Sequence, residues 1–242
     1  MFWHALGSYE VLQERIQCLM SLYFWINLLS VSVPLLVSFH PKIGLYKKFP
    51  SLFVAIFLSM VPYISWDVYF TQRGYWGFTP TYLSGIYLLD LPIEEWLFFV
   101  CIPFACVFTH YSILAINPKL KLSKAVVQKI TWVLVIIFLL VGTFNFSKAY
   151  TLVDMSFGLV ILLMVYRYDG ELLSSFFITF LFMVIPFFIV NGVLTGSGIP
   201  DQVVWYNDKE NLGIRMFTIP VEDTVYAFSL ILLNLFVFRK AS

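Results

Sequence analysis

The stretch LPIEEWLFF, Leu91 to Phe99, returns later in the chain as IPVEDTVYAF, Ile219 to Phe228. Aligned, Pro92 falls on Pro220, Glu94 on Glu222 and Glu95 on Asp223. Upstream of each copy lies a second match, PYISWDVYFTQRG (residues 62–74) over PFFIVNGVLTGSG (residues 186–198). There Asp67 meets Asn191, Thr71 meets Thr195 and Gly74 meets Gly198. Residue 62 matches 186 and residue 92 matches 220, offsets of 124 and 128, so the copies differ by four residues of loop. Self-similarity at this spacing implies a duplicated unit.

The medium in which the unit folds follows from composition. The 242 residues are 60% hydrophobic and 12% charged, with 26 Phe and a mean hydropathy of +0.87. Such a chain is not a soluble globular domain but one mostly dissolved in lipid. Windows of about 19 residues pick out seven apolar runs able to cross roughly 30 Å of hydrocarbon. They cover residues 20–39, 49–70, 93–116, 129–146, 150–166, 172–194 and 218–238. Helices are expected, because a barrel would show shorter alternating segments. No run is followed by a small-residue cleavage site, so no removable signal peptide is expected.

A repeat displaced by four helices, an even number, crosses the membrane in the same direction both times. The expected fold is therefore an all-α integral membrane protein, with seven transmembrane helices in a parallel 3+1+3 internal repeat. The implied divisions are an interfacial segment at 1–19, a first repeat at 20–116, a linker helix at 117–147 and a second repeat at 148–242. Net charge is +1, which gives no case for nucleic acid. Ten cations, Lys42, Lys47, Lys48, Lys119, Lys121, Lys124, Lys129, Arg167, Arg239 and Lys240, follow the odd-numbered runs. Five, Arg15, Arg73, Lys148, Lys209 and Arg215, fall on the other side. The positive-inside rule puts the C-terminus in the cytoplasm, the N-terminus outside and both acidic motifs at the outer leaflet of a cell membrane. Cys18, Cys101 and Cys106 lack CxxC or His pairing and read as packing residues. His4, His40 and His110 are scattered and form no metal site.

Proline at a helix start followed by Glu has a plain reading, a carboxylate placed at the positive end of the helix dipole. Two such motifs at one depth ask for more. Glu94, Glu95, Glu222 and Asp223 gather four of only 14 acids, with Asp67 and Asn191 about one turn from the outer ends of the second and sixth runs. Ionisable groups inside spanning segments are costly and mark function. Two carboxyls in one dry pocket can hold an acid and a base side by side. Phe98 and Tyr226 follow Glu94 and Glu222 by one helical turn, and Phe99 follows Glu95. Their ring faces, with Trp66 nearby, can stabilise a cation without attacking it. Acid, base and aromatic walls suit carbocation chemistry on a hydrocarbon, although Phe on a membrane helix more often faces lipid or packs.

The segments WDVYFTQRGYWGF, GIYLLDLPIEEWLFFVCIPFACVF, NGVLTG and IPVEDTVYAF resemble, in order, the small membrane lycopene cyclases of the heterodimeric and fused type. The likeness runs from about Tyr23 to Phe238 and is similar to the fused form, with both halves in one polypeptide. It implies a redox-neutral isomerisation that closes the acyclic ψ-ends of lycopene to β-rings, giving γ-carotene and then β-carotene. It implies Glu94, Glu95, Glu222 and Asp223 as acid/base residues, Glu94 and Glu222 foremost. Asp67, Trp66, Phe98, Phe99, Asn191 and Tyr226 are the expected substrate-binding residues. Proton gained equals proton lost, so no cofactor and no metal is expected, and the chain has no G-x-G-x-x-G after a strand. The implied partners are lycopene, membrane lipid and other carotenoid-biosynthesis enzymes.

Other readings are weaker. A retinal protein needs a lysine within a helix, and every lysine here falls in a loop or at a helix end. A prenyltransferase would carry a DDxxD cluster, which is missing. A transporter using the carboxylates as a proton relay, and a cyclase making ε- or γ-rings or acting on another acyclic carotenoid, stay open. If both halves line one pocket, the starts of the third and seventh helices must be neighbours, with the four carboxyls converging.

Overall fold

The computed structural model describes residues 21–242. The expected interfacial segment at 1–19, with His4, Arg15 and Cys18, lies outside the described residues.

The chain is all-α and membrane-like. Its helices are α1 (Leu22–Val37), α2 (Phe49–Arg73), α3 (Ile93–Ile116), α4 (Lys124–Phe144), α5 (Ala149–Leu194) and α6 (Glu222–Ala241). Among the described residues, five of these six helices are long and apolar enough to span a bilayer, and α1 is a shorter apolar helix of 16 residues. Ser21 caps α1, its Oγ accepting from the Phe24 amide, and Ser123 caps α4 in the same way through Val126. Gly74 ends α2 at φ +68, a left-handed turn that L side chains rarely adopt.

The fifth and sixth apolar runs form one helix by hydrogen-bonding pattern, broken at Asp169 (φ −155°, ψ 54°). Straight, 46 residues would reach roughly 69 Å at 1.5 Å per residue, about twice the hydrocarbon thickness. The contacts instead fold it back on itself. Tyr150 reaches Asp223 at the start of α6, Arg239 at the far end of α6 pairs with Asp169, and Thr195 returns to meet Thr218 just before α6. The arms 149–168 and 170–194 therefore run antiparallel.

Basic residues collect at one end of the bundle. Lys121 pairs with Glu171, Lys240 reaches the Tyr168 carbonyl, and Lys48 lies over the rings of Tyr111 and Phe238. His110, buried on α3, is paired with Thr179 of α5 at 2.7 Å.

The opposite end is built from two loops of matching design. Residues 75–92 contain β1 (Trp76–Phe78) and a hairpin of β2 (Tyr87–Leu88) with β3 (Leu91–Pro92). Residues 203–220 contain β4 (Val204–Tyr206) and a hairpin of β5 (Arg215–Met216) with β6 (Ile219–Pro220). Tyr87 faces Pro92 and Arg215 faces Pro220, the same register 128 residues on. Pro92 and Pro220 thus close a hairpin ahead of their helices, one or two residues before the helical position expected of them. β1 and β4 pair antiparallel, Trp76 on Tyr206, Gly77 on Trp205 and Phe78 on Val204. At an offset of 128 this register is self-complementary, with Gly77 and Trp205 at its centre.

Candidate active site

The β1–β4 pairing draws the ends of α2, α3, α5 and α6 that lie opposite the basic end around one cavity of about 270 Å³. Its acids and an amide come from both halves of the chain, Asp67 and Glu95 from the first, Asn191 and Asp223 from the second. The rest of the wall is mostly apolar and aromatic, including Phe98, Phe180, Phe187 and Tyr226, with the hydroxyls of Ser30, Thr109 and Thr195.

Each acidic residue of the cavity has definite partners. Glu95, 8% exposed, accepts at Oε2 from the Tyr23 hydroxyl at 2.5 Å. Asp67, 2% exposed, accepts at Oδ1 from the Trp76 indole N–H at 2.5 Å and from Thr71 Oγ1 at 3.4 Å. Asp67 and Glu95 line the same cavity. Asp223, 6% exposed, accepts from two phenols, Tyr150 at 2.6 Å on Oδ1 and Tyr206 at 3.0 Å on Oδ2. The two acid centres are joined by rings. Trp76 lies 5.0 Å from Tyr150 and 6.1 Å from Tyr206, and Tyr150 stacks on Tyr206 at 5.9 Å. Tyr206 lies in the loop, where burial together with the carboxyl of Asp223 raises its phenol well above the usual range, so it serves as a donor.

Glu94 and Glu222 have a different surrounding. Neither lines the cavity, and both are fully buried. Glu94 Oε1 accepts from Ser21 Oγ at 2.9 Å and from the Ser84 amide at 2.6 Å. Glu222 Oε1 accepts from Thr151 Oγ1 at 2.6 Å and from the Leu212 amide at 2.7 Å. Each ties its own loop to its own helix start, and the loop donors again stand 128 residues apart. The starts of α3 and α6 do converge as expected, but only two of their four carboxyls enter the cavity. A helix turns by about 100° per residue, so adjacent acids cannot face one pocket.

Phe98, Asn191 and Tyr226 line the cavity, whereas Trp66 and Phe99 stand outside it. Trp66 packs behind, 5.0 Å from Tyr226 and 6.0 Å from Trp76. Four further cavity residues, Tyr23, Trp76, Tyr150 and Tyr206, donate to the cavity's acids and stand outside both acidic motifs of the sequence. Of the cysteines, Cys101 and Cys106 are free thiols, and Cys106 lies in the cavity wall.

Comparison with protein families then decides the class, since the lycopene cyclase model matches the chain twice, over residues 20–114 and 147–241. The chain belongs to the lycopene cyclase family. It carries both halves of the cyclase in one polypeptide, which makes it an enzyme of carotenoid cyclisation acting on a lipophilic carotenoid. The two matched segments of this cyclase begin 127 residues apart, at 20 and 147, which is also the spacing of Tyr23 and Tyr150. Comparison with curated proteins and with solved structures returns no match.

Proposed function

We propose that the chain is a lycopene β-cyclase, an isomerase that closes ψ-ends to β-rings with Glu95 and Asp223 as the residues that exchange protons with the substrate. The observation that carries this reading is their meeting in one apolar cavity, each from its own half and each held by tyrosine. The cavity, about 270 Å³, is at the lower end of small-molecule sites. It suits one end of a long polyene, the remainder lying among helices and lipid. A proton added at C2 of the end group leaves a cation at C1. The C5–C6 double bond attacks it, and loss of the C6 proton fixes the ring double bond. The faces of Trp76, Tyr226 and Phe98 offer π-density to the cation without a nucleophile.

Glu94 and Glu222 are read as holding the loops that roof this cavity, with Trp66 and Phe99 packing behind its wall. The membrane arrangement belongs to the same proposal. We read α1 to α4, the two arms of α5 and α6 as seven crossings, with 20–116 and 148–242 as parallel halves and 117–147 as their connector. The matching hairpins, the self-complementary β1–β4 register and the shared basic end support that reading. The basic end and C-terminus then face the cytoplasm of a cell membrane.

The test is pigment analysis of lycopene-accumulating cells expressing the chain alone. β-Carotene is the expected product. Unchanged lycopene, with the protein present in the membrane, would refute the assignment, and ε- or γ-rings would refute its ring specificity.

A further inference from the structure

The two halves differ at one position that the cavity makes meaningful. Asp67 of the first half is matched by Asn191 in the second, and both line the cavity. Glu95 therefore shares the cavity with a second carboxyl from its own half, and Asp223 has only an amide in the equivalent place. Two carboxylates are acceptors only, so a hydrogen bond between Asp67 and Glu95 exists only if one of them carries a proton. Asp223 instead has a phenol donor on each oxygen, the surrounding of an ionised acceptor.

Resting on the cyclase reading above, we propose that the halves divide the two proton transfers, the Asp67–Glu95 pair delivering the proton to C2 and Asp223 removing the proton from C6. In this sequence the C1=C2 electron pair takes the proton from Glu95, leaving the cation at C1. The C5=C6 pair then forms the C1–C6 bond, which moves the cation to C5. The C6–H pair becomes the new C5=C6 bond as its proton passes to Asp223. Substrate and product are isomers, and net return of one proton from Asp223 to the Asp67–Glu95 pair restores the enzyme without a co-reactant. Glu95 touches the reacting carbon, and Asp67 acts through Glu95 as the residue that keeps a proton in place.

The experiment uses membranes holding the full chain and lycopene in D₂O, with products resolved by chromatography and mass spectrometry. The native protein is expected to give β-rings with one deuterium at C2. Glu95→Gln is expected to cut ring formation by about 10²–10⁴-fold. Asp67→Asn is expected to reduce it less severely. Both should leave recovered lycopene unlabelled and any rings of β type. Asp223→Asn removes only the later step. The early cation then reverts or loses another proton, giving deuterium in recovered lycopene or rings with a displaced double bond. Tyr206→Phe, which keeps the Asp223 carboxylate but removes one donor, is expected to give mixed ring types. Unlabelled lycopene and no displaced rings with Asp223→Asn, or mixed rings with Asp67→Asn and only β-rings with Tyr206→Phe, would overturn the division. No cyclised product from the native protein would instead overturn the cyclase reading beneath it.

Discussion

The indole of Trp205 covers Gly77 at the centre of the β1–β4 pairing, in the space that a side chain on Gly77 would need. That contact lets the two hairpin loops close over the cavity and brings Trp76 against Tyr206. Overpacking at such a point costs about 1–3 kcal/mol. Gly77→Val is expected to lower thermal stability in detergent by that amount and to reduce ring formation, while Trp205→Ala in the same chain restores most of the stability. Equal melting of Gly77→Val and the native protein would show that the loops do not depend on this approach.

Glu94 and Glu95 are adjacent and both buried, yet their surroundings predict opposite phenotypes. Glu94→Gln keeps an amide oxygen for Ser21 and the Ser84 N–H, so ring formation should stay within about tenfold of native, roughly 1.4 kcal/mol. Glu94→Ala strands the Ser84 N–H and is expected to cost about 1–3 kcal/mol of stability. Glu95→Gln keeps the fold and loses the reaction. The comparison is made by pigment yield per unit of membrane-inserted protein. Loss of ring formation in a stably inserted Glu94→Gln would return the acid/base role to Glu94.

The sequence is legible where physics is local and repeats. Hydropathy alone marks 93–116, the run that α3 occupies, and the repeat places Glu95 over Asp223. What it hides is orientation. Nothing in PIEE or PVED says which acid faces inward, because that depends on how Ser84 and Leu212 present their amides after each loop has folded. Tyr23 and Tyr150 carry no motif in the sequence, and only the packing of α1 on α3 and of α5 on α6 turns their hydroxyls onto acids. Trp76 and Tyr206 depend on a strand pairing between residues 130 positions apart, with no local signature. The continuity of α5 across Asp169 was equally hidden, since a charged run between apolar segments looks like a loop.

Asp154 is a further buried acid, fully inaccessible on the first arm of α5, with neither oxygen hydrogen-bonded. At the 127-residue spacing its counterpart is Asn27, whose Nδ2 donates to the Glu94 carbonyl at 2.8 Å. An isolated buried carboxylate is costly, whereas an amide or a protonated carboxyl can donate. Asp154→Asn is therefore expected to be at least as stable as the native protein and to retain ring formation. Asp154→Leu, which removes two unpartnered buried oxygens, should likewise cost no stability. Thermal unfolding and pigment yield check both. Should Asp154→Asn lose activity as fully as Glu95→Gln, Asp154 would belong to the proton-transfer machinery.

The tip of the second hairpin bears on how the cavity meets the bilayer. Phe217 is 88% exposed and holds φ +59°, a left-handed conformation that costs a non-glycine residue of order 1–3 kcal/mol. The first hairpin has a similar tip, with Leu89 62% exposed at φ +53°. Exposed apolar groups kept in strained turns at the same end of the bundle make sense if lipid covers them. Phe217→Gly is expected to raise stability in detergent by about 1 kcal/mol while weakening seating in the bilayer. Phe217→Trp reports the depth directly, in a background where other tryptophans are subtracted with the native protein. Its added fluorescence is expected to be quenched by lipids brominated near the headgroup end of the acyl chain. Quenching by an aqueous quencher alone would place the tip in water and remove the membrane from the explanation of its strain.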